Sequence, residues 1–218
     1  MKKVIVFDLD GTLLDTLDDL RMSVNFALSK YGYPLRTREN VRCDIGNGVE
    51  MLIKRSVPQG FLCENYQNCL SLFRQSYKEN YNVHTSAYKG CKDLLLNLQK
   101  EGYIVTVATN KIYSVAKTLL DCHYPGIFDY FQGDAEGIQK KPHPQMIEEI
   151  IKHYGVTKEE VLYIGDTNVD EETALNANVD YALVTYGYRT VEEIKKSCVT
   201  TTLLDTTGDI YRFIKSFR

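Results

Sequence analysis

The sequence lacks both an excess of charge and a long apolar run, and each absence excludes a class of protein. Its 218 residues carry a formal net charge of −3, so nothing in it is basic enough to indicate a nucleic-acid partner. No stretch approaches the roughly 20 apolar residues that cross a membrane. The apolar run behind Lys2 and Lys3 ends at Asp8 after four residues, which is too short for the apolar region of a signal peptide. We therefore expect a cytoplasmic protein that binds neither nucleic acid nor a membrane.

The cysteines lack the spacing of a metal site. Six cysteines are scattered along the chain, and none of them form the closely spaced pairs that bind zinc. In a chain of this size without an export signal, they are typical of reduced thiols. The composition, 44% hydrophobic and 25% charged, is that of an ordinary globular protein. The length allows one substantial core, or a core domain with a smaller insert.

Strands alternate with helices over most of the chain. The predicted strands are Val4–Phe7, Ile104–Ala108, Val161–Ile164 and Tyr181–Val184, and the predicted later helices cover residues 89–100, 113–122, 144–154 and 169–177. Each strand is a short apolar run bounded by turn residues, as in a parallel sheet that is buried on both faces. Strands that alternate with helices in this way indicate βαβ units. We therefore predict an α/β fold with a doubly wound parallel sheet.

A helical block separates the first strand from the others. Apolar residues between Leu17 and Tyr31 recur on one face of a helix. Further helices are predicted to begin at Thr37 and after Gly48, and a third covers residues 64–80. No convincing strand interrupts them. We therefore predict a core domain of residues 1–14 and 86–218, with a helical domain of residues 15–85 inserted after the first strand.

Two carboxylates follow the first strand. Asp8 and Asp10 are two residues apart, so their side chains begin on the same face of the strand. Ligands of parallel α/β sheets bind beyond the carboxyl ends of the strands, where these two residues lie. Two close carboxylates repel each other unless a cation lies between them or one of them holds a proton. The pair therefore indicates a metal site, an acid–base role, or both.

Polar residues also follow two later strands, or precede a helix, at the same predicted edge. They are Thr109, Asn110 and Lys111 after one strand, Asp166 and Asp170 after another, and Lys141, which the following Pro142 and Pro144 hold ahead of a helix. Singly, each has a structural alternative. Thr109 and Asn110 fit a helix cap, and Asp170 fits an acid that offsets a helix dipole. The order and placement of all the pieces favour one shared site.

Jointly these motifs resemble the haloacid dehalogenase superfamily, and within it the phosphoglycolate phosphatases. The matching pieces are Asp8-Leu9-Asp10-Gly11-Thr12, Thr109-Asn110, Lys141-Pro142, and Gly165-Asp166-Thr167 with Asp170, in the order typical of the family. Ile45-Gly46-Asn47-Gly48, Thr109-Asn110-Lys111 and Val184–Tyr188 are most similar to the phosphoglycolate phosphatases. The helical insert matches the small cap domain of the family, on a Rossmann-like core. Asn178 stands where the family usually has glycine, and asparagine is the next best residue for a left-handed helix end.

The resemblance implies a Mg²⁺-dependent phosphomonoester hydrolase with an aspartyl-phosphate intermediate. Asp8 would be the nucleophile and Asp10 the general acid and base, with the neighbouring Asp8 carboxylate favouring a proton on Asp10. Lys141 would offset the accumulating negative charge, while Thr109 and the backbone amide of Asn110 would hold the phosphate. The metal ligands it implies are the side chains of Asp8 and Asp166, the Asp10 carbonyl, and Asp170, which binds directly or through water.

The substrate that the resemblance implies is 2-phosphoglycolate or a similar small phosphorylated metabolite. Gly46, Asn47 and Gly48 in the cap would contact it through backbone amides, although a tight turn between two helices explains the same residues. A phosphosugar phosphatase, a pyrophosphatase and a phosphosugar mutase on the same fold stay open as alternatives. A dehalogenase should lack Asp10, and a phosphoryl-accepting signalling domain lacks the helical cap. We expect a monomer.

Overall fold

The structure is a computed structural model, and it describes residues 1–200 and 202–217. The chain forms two compact units. One consists of Met1–Leu14 with Ala87–Arg218, and the other is Asp15–Ser86. The first contains the main sheet and is called the core unit below; the second contains the first four helices and is called the helical unit.

Strands and helices alternate along the core unit. The strands of the chain are β1 (Val4–Phe7), β2 (Leu14–Asp15), β3 (Ser86–Ala87), β4 (Ile104–Ile112), β5 (Gln132–Asp134), β6 (Val161–Gly165), β7 (Asp180–Val184) and β8 (Leu203–Leu204). The α-helices are α1 (Leu17–Ser29), α2 (Arg38–Asp44), α3 (Val49–Ser56), α4 (Tyr66–Asn80), α5 (Cys91–Lys100), α6 (Tyr113–His123), α7 (Gln145–Tyr154), α8 (Asn168–Ala177), α9 (Val191–Ser197) and α10 (Thr207–Lys215). Short 3₁₀ helices cover Gly60–Leu62 and Lys158–Glu160.

Six strands form the sheet of the core unit, in the order β5-β4-β1-β6-β7-β8. Each of these neighbouring pairs is parallel, so the predicted α/β class with a parallel sheet is confirmed. All residues of β1 have no exposed surface, as expected for a central strand that is covered on both faces. Val4 and Val6 share one buried cluster with apolar residues of α7 and α8, because alternate side chains of a strand point to one face.

The register of the sheet determines which side chains meet at its carboxyl edge. Phe7, the last residue of β1, pairs with Val107 on one side and with Ile164 on the other. The residues that follow these three positions therefore leave the sheet side by side. This edge carries the polar residues that the sequence analysis selected.

The helical unit has a buried carboxylate of its own. Asp19 on α1 is 1% exposed. It accepts hydrogen bonds from the backbone amides of Val83, His84 and Thr85 and from the Thr85 hydroxyl. These bonds compensate the carboxylate for the loss of water. Asp19 thereby fixes the segment that follows α4 against the beginning of α1.

The structure departs from the sequence-based prediction at several elements. β4 extends to Ile112 instead of ending at Ala108, so Thr109, Asn110 and Lys111 belong to the strand. The residue before α6 is Ile112, so the helix-cap alternative for Thr109 and Asn110 is wrong. β5, β8, α9 and α10 were not predicted.

The end of α8 follows its prediction. Asn178 closes the helix in the left-handed conformation, with φ of 56°, which confirms the expectation for the residue that stands in place of glycine. In the described residues 1–200 and 202–217, no helix is long and apolar enough to cross a membrane.

Candidate active site

Three buried carboxylates meet at the carboxyl edge of the sheet. Asp8 follows β1, Asp166 follows β6, and Asp170 lies in the first turn of α8. They are 7%, 0% and 1% exposed, and each offers an oxygen within 4.8 Å of the others. Charged carboxylates are rarely buried in this way unless a cation or a strong set of hydrogen bonds compensates them.

Glycines make room for this cluster. A Cβ atom on Gly11 would lie 2.3 Å from Asp166 Oδ2, and Gly11 has a φ of +90°. A Cβ atom on Gly165 would lie 2.3 Å from the Asp170 Cβ atom. Both approaches are too close for any side chain, so packing requires glycine at both positions, and at Gly11 the positive φ requires it as well.

The ammonium group of Lys141 lies among the carboxylates. Its Nζ atom is 2.8 Å from Asp8 Oδ1 and 2.7 Å from Asp170 Oδ1, and it donates a hydrogen bond of 2.9 Å to the Tyr163 hydroxyl. Burial alone would lower the pKa of Lys141, but the charges of Asp170 and Asp8 outweigh burial and raise it well above its usual range. Lys141 is therefore a permanent cation in this site.

Lys141 does not neutralise the cluster completely. Asp8 Oδ1 is buried, and the ammonium that it contacts at 2.8 Å is shared with Asp170. Burial raises the pKa of Asp8 to about 7, against the opposing charge of Lys141 and with a further contribution from Asp170. Burial, together with the charges of Asp170 and Asp8, also raises the pKa of Asp166 well above its usual range. An all-oxygen site in which three buried carboxylates share one ammonium fits a hard divalent cation.

Asp170 differs from the other two carboxylates because protein donors occupy both of its oxygens. Oδ1 accepts from Lys141 and from the Tyr163 hydroxyl. Oδ2 accepts from the backbone amides of Asp166 and Thr167 and from the Thr167 hydroxyl. Burial acts to raise the pKa of Asp170, but the charge and hydrogen bond of Lys141 and the bonds from Thr167 and Tyr163 outweigh it and lower the pKa. Asp170 is therefore ionised and holds both Lys141 and the backbone beside Asp166.

Asp10 has a cationic partner that the sequence analysis missed. The Lys111 Nζ atom donates to both oxygens of Asp10, at 2.8 and 3.0 Å. The Lys111 side chain is 4% exposed and that of Asp10 is 16% exposed. The sequence predicts repulsion between Asp8 and Asp10, whereas the structure places the Lys111 ammonium beside Asp10.

The predicted phosphate-binding residues of β4 are both buried at the site. The side chain of Asn110 donates to the Lys141 carbonyl at 3.0 Å and accepts from the Lys141 amide at 2.7 Å. This pair of bonds fixes the backbone of Lys141 against β4. Thr109 is 1% exposed, and its hydroxyl accepts from the Lys111 amide at 3.2 Å.

Other residues of the site were also missed by sequence reasoning. Tyr163 on β6 contacts Lys141 and Asp170, although its position in an apolar strand indicated only a core residue. The backbone amide of Tyr188 donates to Asp166 Oδ2 at 2.7 Å, and the Thr12 hydroxyl lies 3.5 Å from Asp166 Oδ1. The segment Val184–Tyr188, which resembles the phosphoglycolate phosphatases in sequence, thus ends in a residue that holds Asp166.

Gly46, Asn47 and Gly48 lie in the helical unit, in the loop between α2 and α3. Gly46 and Gly48 have φ values of 123° and 81°, which fit the tight-turn explanation. Arg55 donates to Asn47 Oδ1 at 2.9 Å and to the Asp44 carbonyl at 2.6 Å, and thereby holds the loop. Contact between this loop and a substrate stays a prediction.

The chain is similar to a known protein family and to several known proteins. A family model described as haloacid dehalogenase-like hydrolase matches residues 5–184. A phosphoglycolate phosphatase from Nitrosococcus oceani is 34% identical over 202 residues, which cover 89% of each chain. One from Aquifex aeolicus is 33% identical over 187 residues, which cover 85% of this chain and 86% of the relative.

The fold has close counterparts among solved structures. A crystal structure of a candidate phosphoglycolate phosphatase from Lactobacillus delbrueckii subsp. bulgaricus matches with a TM-score of 0.93 and 30% identity, over 98% of this chain and 99% of that one. A likeness of this extent covers both the core unit and the inserted helices.

Proposed function

Because the chain belongs to the haloacid dehalogenase-like hydrolases and is a phosphatase of that family, we propose that it hydrolyses small phosphomonoesters through an aspartyl-phosphate, with 2-phosphoglycolate as its substrate. One observation carries the proposal. Three buried carboxylates share the sheet edge with one buried ammonium, which contacts two of them. This arrangement suits phosphoryl transfer, which depends on positioning and on the neutralisation of charge.

Mg²⁺ is the cofactor of this proposal. The side chains of Asp8 and Asp166 and the carbonyl of Asp10 would hold it, because Mg²⁺ binds few carboxylates and completes its shell with water and substrate oxygens. When bound, Mg²⁺ shields the phosphate from the Asp8 carboxylate and stabilises the developing negative charge. Asp170 adds to the metal site by holding the Asp166 backbone, since its own oxygens already accept five hydrogen bonds.

The reaction proceeds in two displacements on phosphorus. In the first, a carboxylate oxygen of Asp8 forms a bond to phosphorus and the ester bond breaks. Asp10, protonated on one oxygen and holding Lys111 through the other, gives its proton to the leaving oxygen. In the second, Asp10 takes a proton from water as the water oxygen attacks phosphorus and the bond to Asp8 breaks. Phosphate and the free Asp8 carboxylate are the products.

Three further residues hold the transferring group. Lys141 keeps a positive charge beside the Asp8 oxygen. Asp170 holds its ammonium, and the Asn110 side chain holds its backbone. The hydroxyl of Thr109 and the backbone amide of Asn110 would donate to phosphate oxygens, as preorganised donors do in other phosphoryl-transfer sites. Each of these groups is already positioned before a substrate arrives, which limits the reorganisation that catalysis requires.

Phosphate release tests the proposal directly. The purified protein is assayed with and without Mg²⁺ against 2-phosphoglycolate, hexose and pentose phosphates, pyrophosphate and p-nitrophenyl phosphate. A large preference in kcat/KM for 2-phosphoglycolate, lost on chelation of the metal, is expected. A preference for a sugar phosphate or for pyrophosphate would keep the chemistry and replace the substrate. Interconversion of sugar phosphates without phosphate release would identify a mutase and refute the proposal.

A further inference from the structure

A buried lysine beside the general acid has no part in the mechanism above. Lys111 lies on β4, and both oxygens of the Asp10 carboxylate accept from its Nζ atom. Burial of a lysine is costly, and long charged side chains are seldom buried without a functional or structural reason. Neutralisation of Asp10 is one such reason. The position of the ammonium relative to the leaving group provides a second.

The proposed reaction fixes where the leaving group lies. A general acid has to come within about 3 Å of the oxygen that it protonates, so the ester oxygen of a bound substrate lies beside Asp10. The Lys111 Nζ atom is 2.8 and 3.0 Å from the two Asp10 oxygens. Lys111 is therefore the cation that faces the leaving group, whereas Lys141 is the cation beside the nucleophile, 2.8 Å from Asp8.

The covalent structure of the ester then decides what Lys111 can bind. In an ester of a 2-hydroxy acid, two bonds of about 1.5 Å separate the ester oxygen from the carboxylate carbon. The carboxylate of such a leaving group is thus confined to the neighbourhood of Asp10, within reach of the same ammonium. A leaving group with a methyl group in place of the carboxylate offers Lys111 no negative charge to bind.

Two arginines of the helical unit pair with carboxylates of that unit. Arg38 pairs with Asp15 and Asp18, and Arg42 pairs with Glu39. These pairs make surface arginines of the helical unit less suited to receive a substrate acid, because an incoming carboxylate would have to displace a partner of the same charge. Lys111 also has a carboxylate partner, but that partner is the group whose proton transfer the leaving oxygen requires.

We propose that Lys111 recognises a carboxylate on the leaving group, next to the ester carbon, and thereby selects phosphorylated 2-hydroxy acids over phosphomonoesters whose leaving group carries no charge. The inference rests on the proposed function, in which Asp10 protonates the leaving oxygen. It assigns substrate discrimination to the strand that also carries Thr109 and Asn110. Removal of the charge should therefore change the choice of substrate more than it changes catalysis in general.

The test compares two esters that differ only in the carboxylate: 2-phosphoglycolate and ethyl phosphate. Lys111→Met should lower the ratio of their kcat/KM values about 100-fold, as expected when one partner of a desolvated charge pair is removed. The ratio is decisive because any disturbance of Asp10 affects both esters equally. Lys111→Gln is a second neutral variant and should give the same result if the methionine variant does not fold. Lys117→Met, on an exposed lysine that pairs with Asp121, is the matched control and should keep the wild-type ratio.

Each other outcome overturns the inference. An equal loss on both esters would mean that Lys111 acts only through Asp10. Unchanged kcat/KM values on both esters would mean that another group recognises the carboxylate. Failure of the proposed function is distinguishable, since the wild-type protein would then release phosphate from neither ester nor from p-nitrophenyl phosphate.

Discussion

Removal of the divalent cation should destabilise the protein in a pH-dependent way. In the metal-free protein, burial raises the pKa of Asp8 from 3.8 to about 7, and it raises the pKa of Asp166 well above 3.8. Carboxyl groups whose pKa is higher in the folded state stabilise the fold below their unfolded pKa. This stabilisation is lost as the pH rises through the folded-state value. The metal-free protein should therefore become less stable between about pH 4 and pH 7.

The structure sets the size of the effect. The shift of Asp8 from 3.8 to about 7 corresponds to about 4 kcal/mol at most, at about 1.4 kcal/mol for each pH unit. A protein of this size changes its Tm by about 2–4 °C for each kcal/mol. Asp170 acts in the opposite direction, because its pKa is lowered from 3.8. Its contribution is lost only as the pH falls below about 4, outside this window.

Thermal unfolding with millimolar Mg²⁺ or with a chelator, at about pH 5 and about pH 7.5, measures this linkage. A cation that binds the ionised carboxylates should raise the Tm by at least about 5 °C more at the higher pH. Asp166→Asn is the control, since it removes one of the two groups and should raise the metal-free Tm at pH 7.5. An equal effect of Mg²⁺ at both pH values would refute the reasoning, because it would mean that the cluster does not exchange protons for metal.

Three substitutions test individual residues of the site and of the helical unit. Asp8→Asn should lower phosphate release by at least about 10⁴-fold, as expected for loss of a nucleophile, and measurable burst formation of phosphoenzyme in this variant would contradict the assignment. Lys141→Met should lower kcat by about 10²–10³-fold. Lys140→Met, at the adjacent lysine that pairs with Asp134, is the control and should leave kcat unchanged. Equal losses in both variants would argue against a role for the buried ammonium. Asp19→Asn should reduce the free energy of unfolding in urea by about 2–4 kcal/mol, because the negative charge is lost and one of the two acceptor oxygens becomes an amide nitrogen that cannot accept bonds from residues 83–85; an unchanged midpoint would refute this account.

The position of the acidic cluster could be predicted from sequence because it depends on general rules of parallel sheets. β1 and β6 are apolar runs that end in Asp8 and in Gly165-Asp166, and the carboxyl ends of neighbouring parallel strands meet at one edge. The short edge strands could not be predicted. β8 is two residues long, and β5 contains Gln132, Gly133 and Asp134. Neither contains an apolar run that would distinguish it from a loop.

The pairing of Lys111 with Asp10 was missed because the end of β4 was misplaced. The apolar run predicts a strand that ends at Ala108, whereas the strand continues to Ile112. Alternation along a strand places residues two apart on one face, and it would have grouped Thr109 with Lys111. The sequence contains no comparable signal for Asp19, because a carboxylate in the first turn of a helix is ordinarily explained by the helix dipole.

Asp170 shows why a structural and a functional explanation of one residue need not compete. Its Oδ2 atom accepts from the backbone amides of Asp166 and Thr167, at the start of α8, which is the work of a helix-capping acid. Its Oδ1 atom accepts from Lys141 and Tyr163, and thereby positions the ammonium of the active site. The two oxygens thus connect the start of α8 to the cation beside Asp8. Capping and catalysis are therefore not alternatives for such a residue. A helix that begins at the sheet edge requires a cap at the same point where the active site requires a charge.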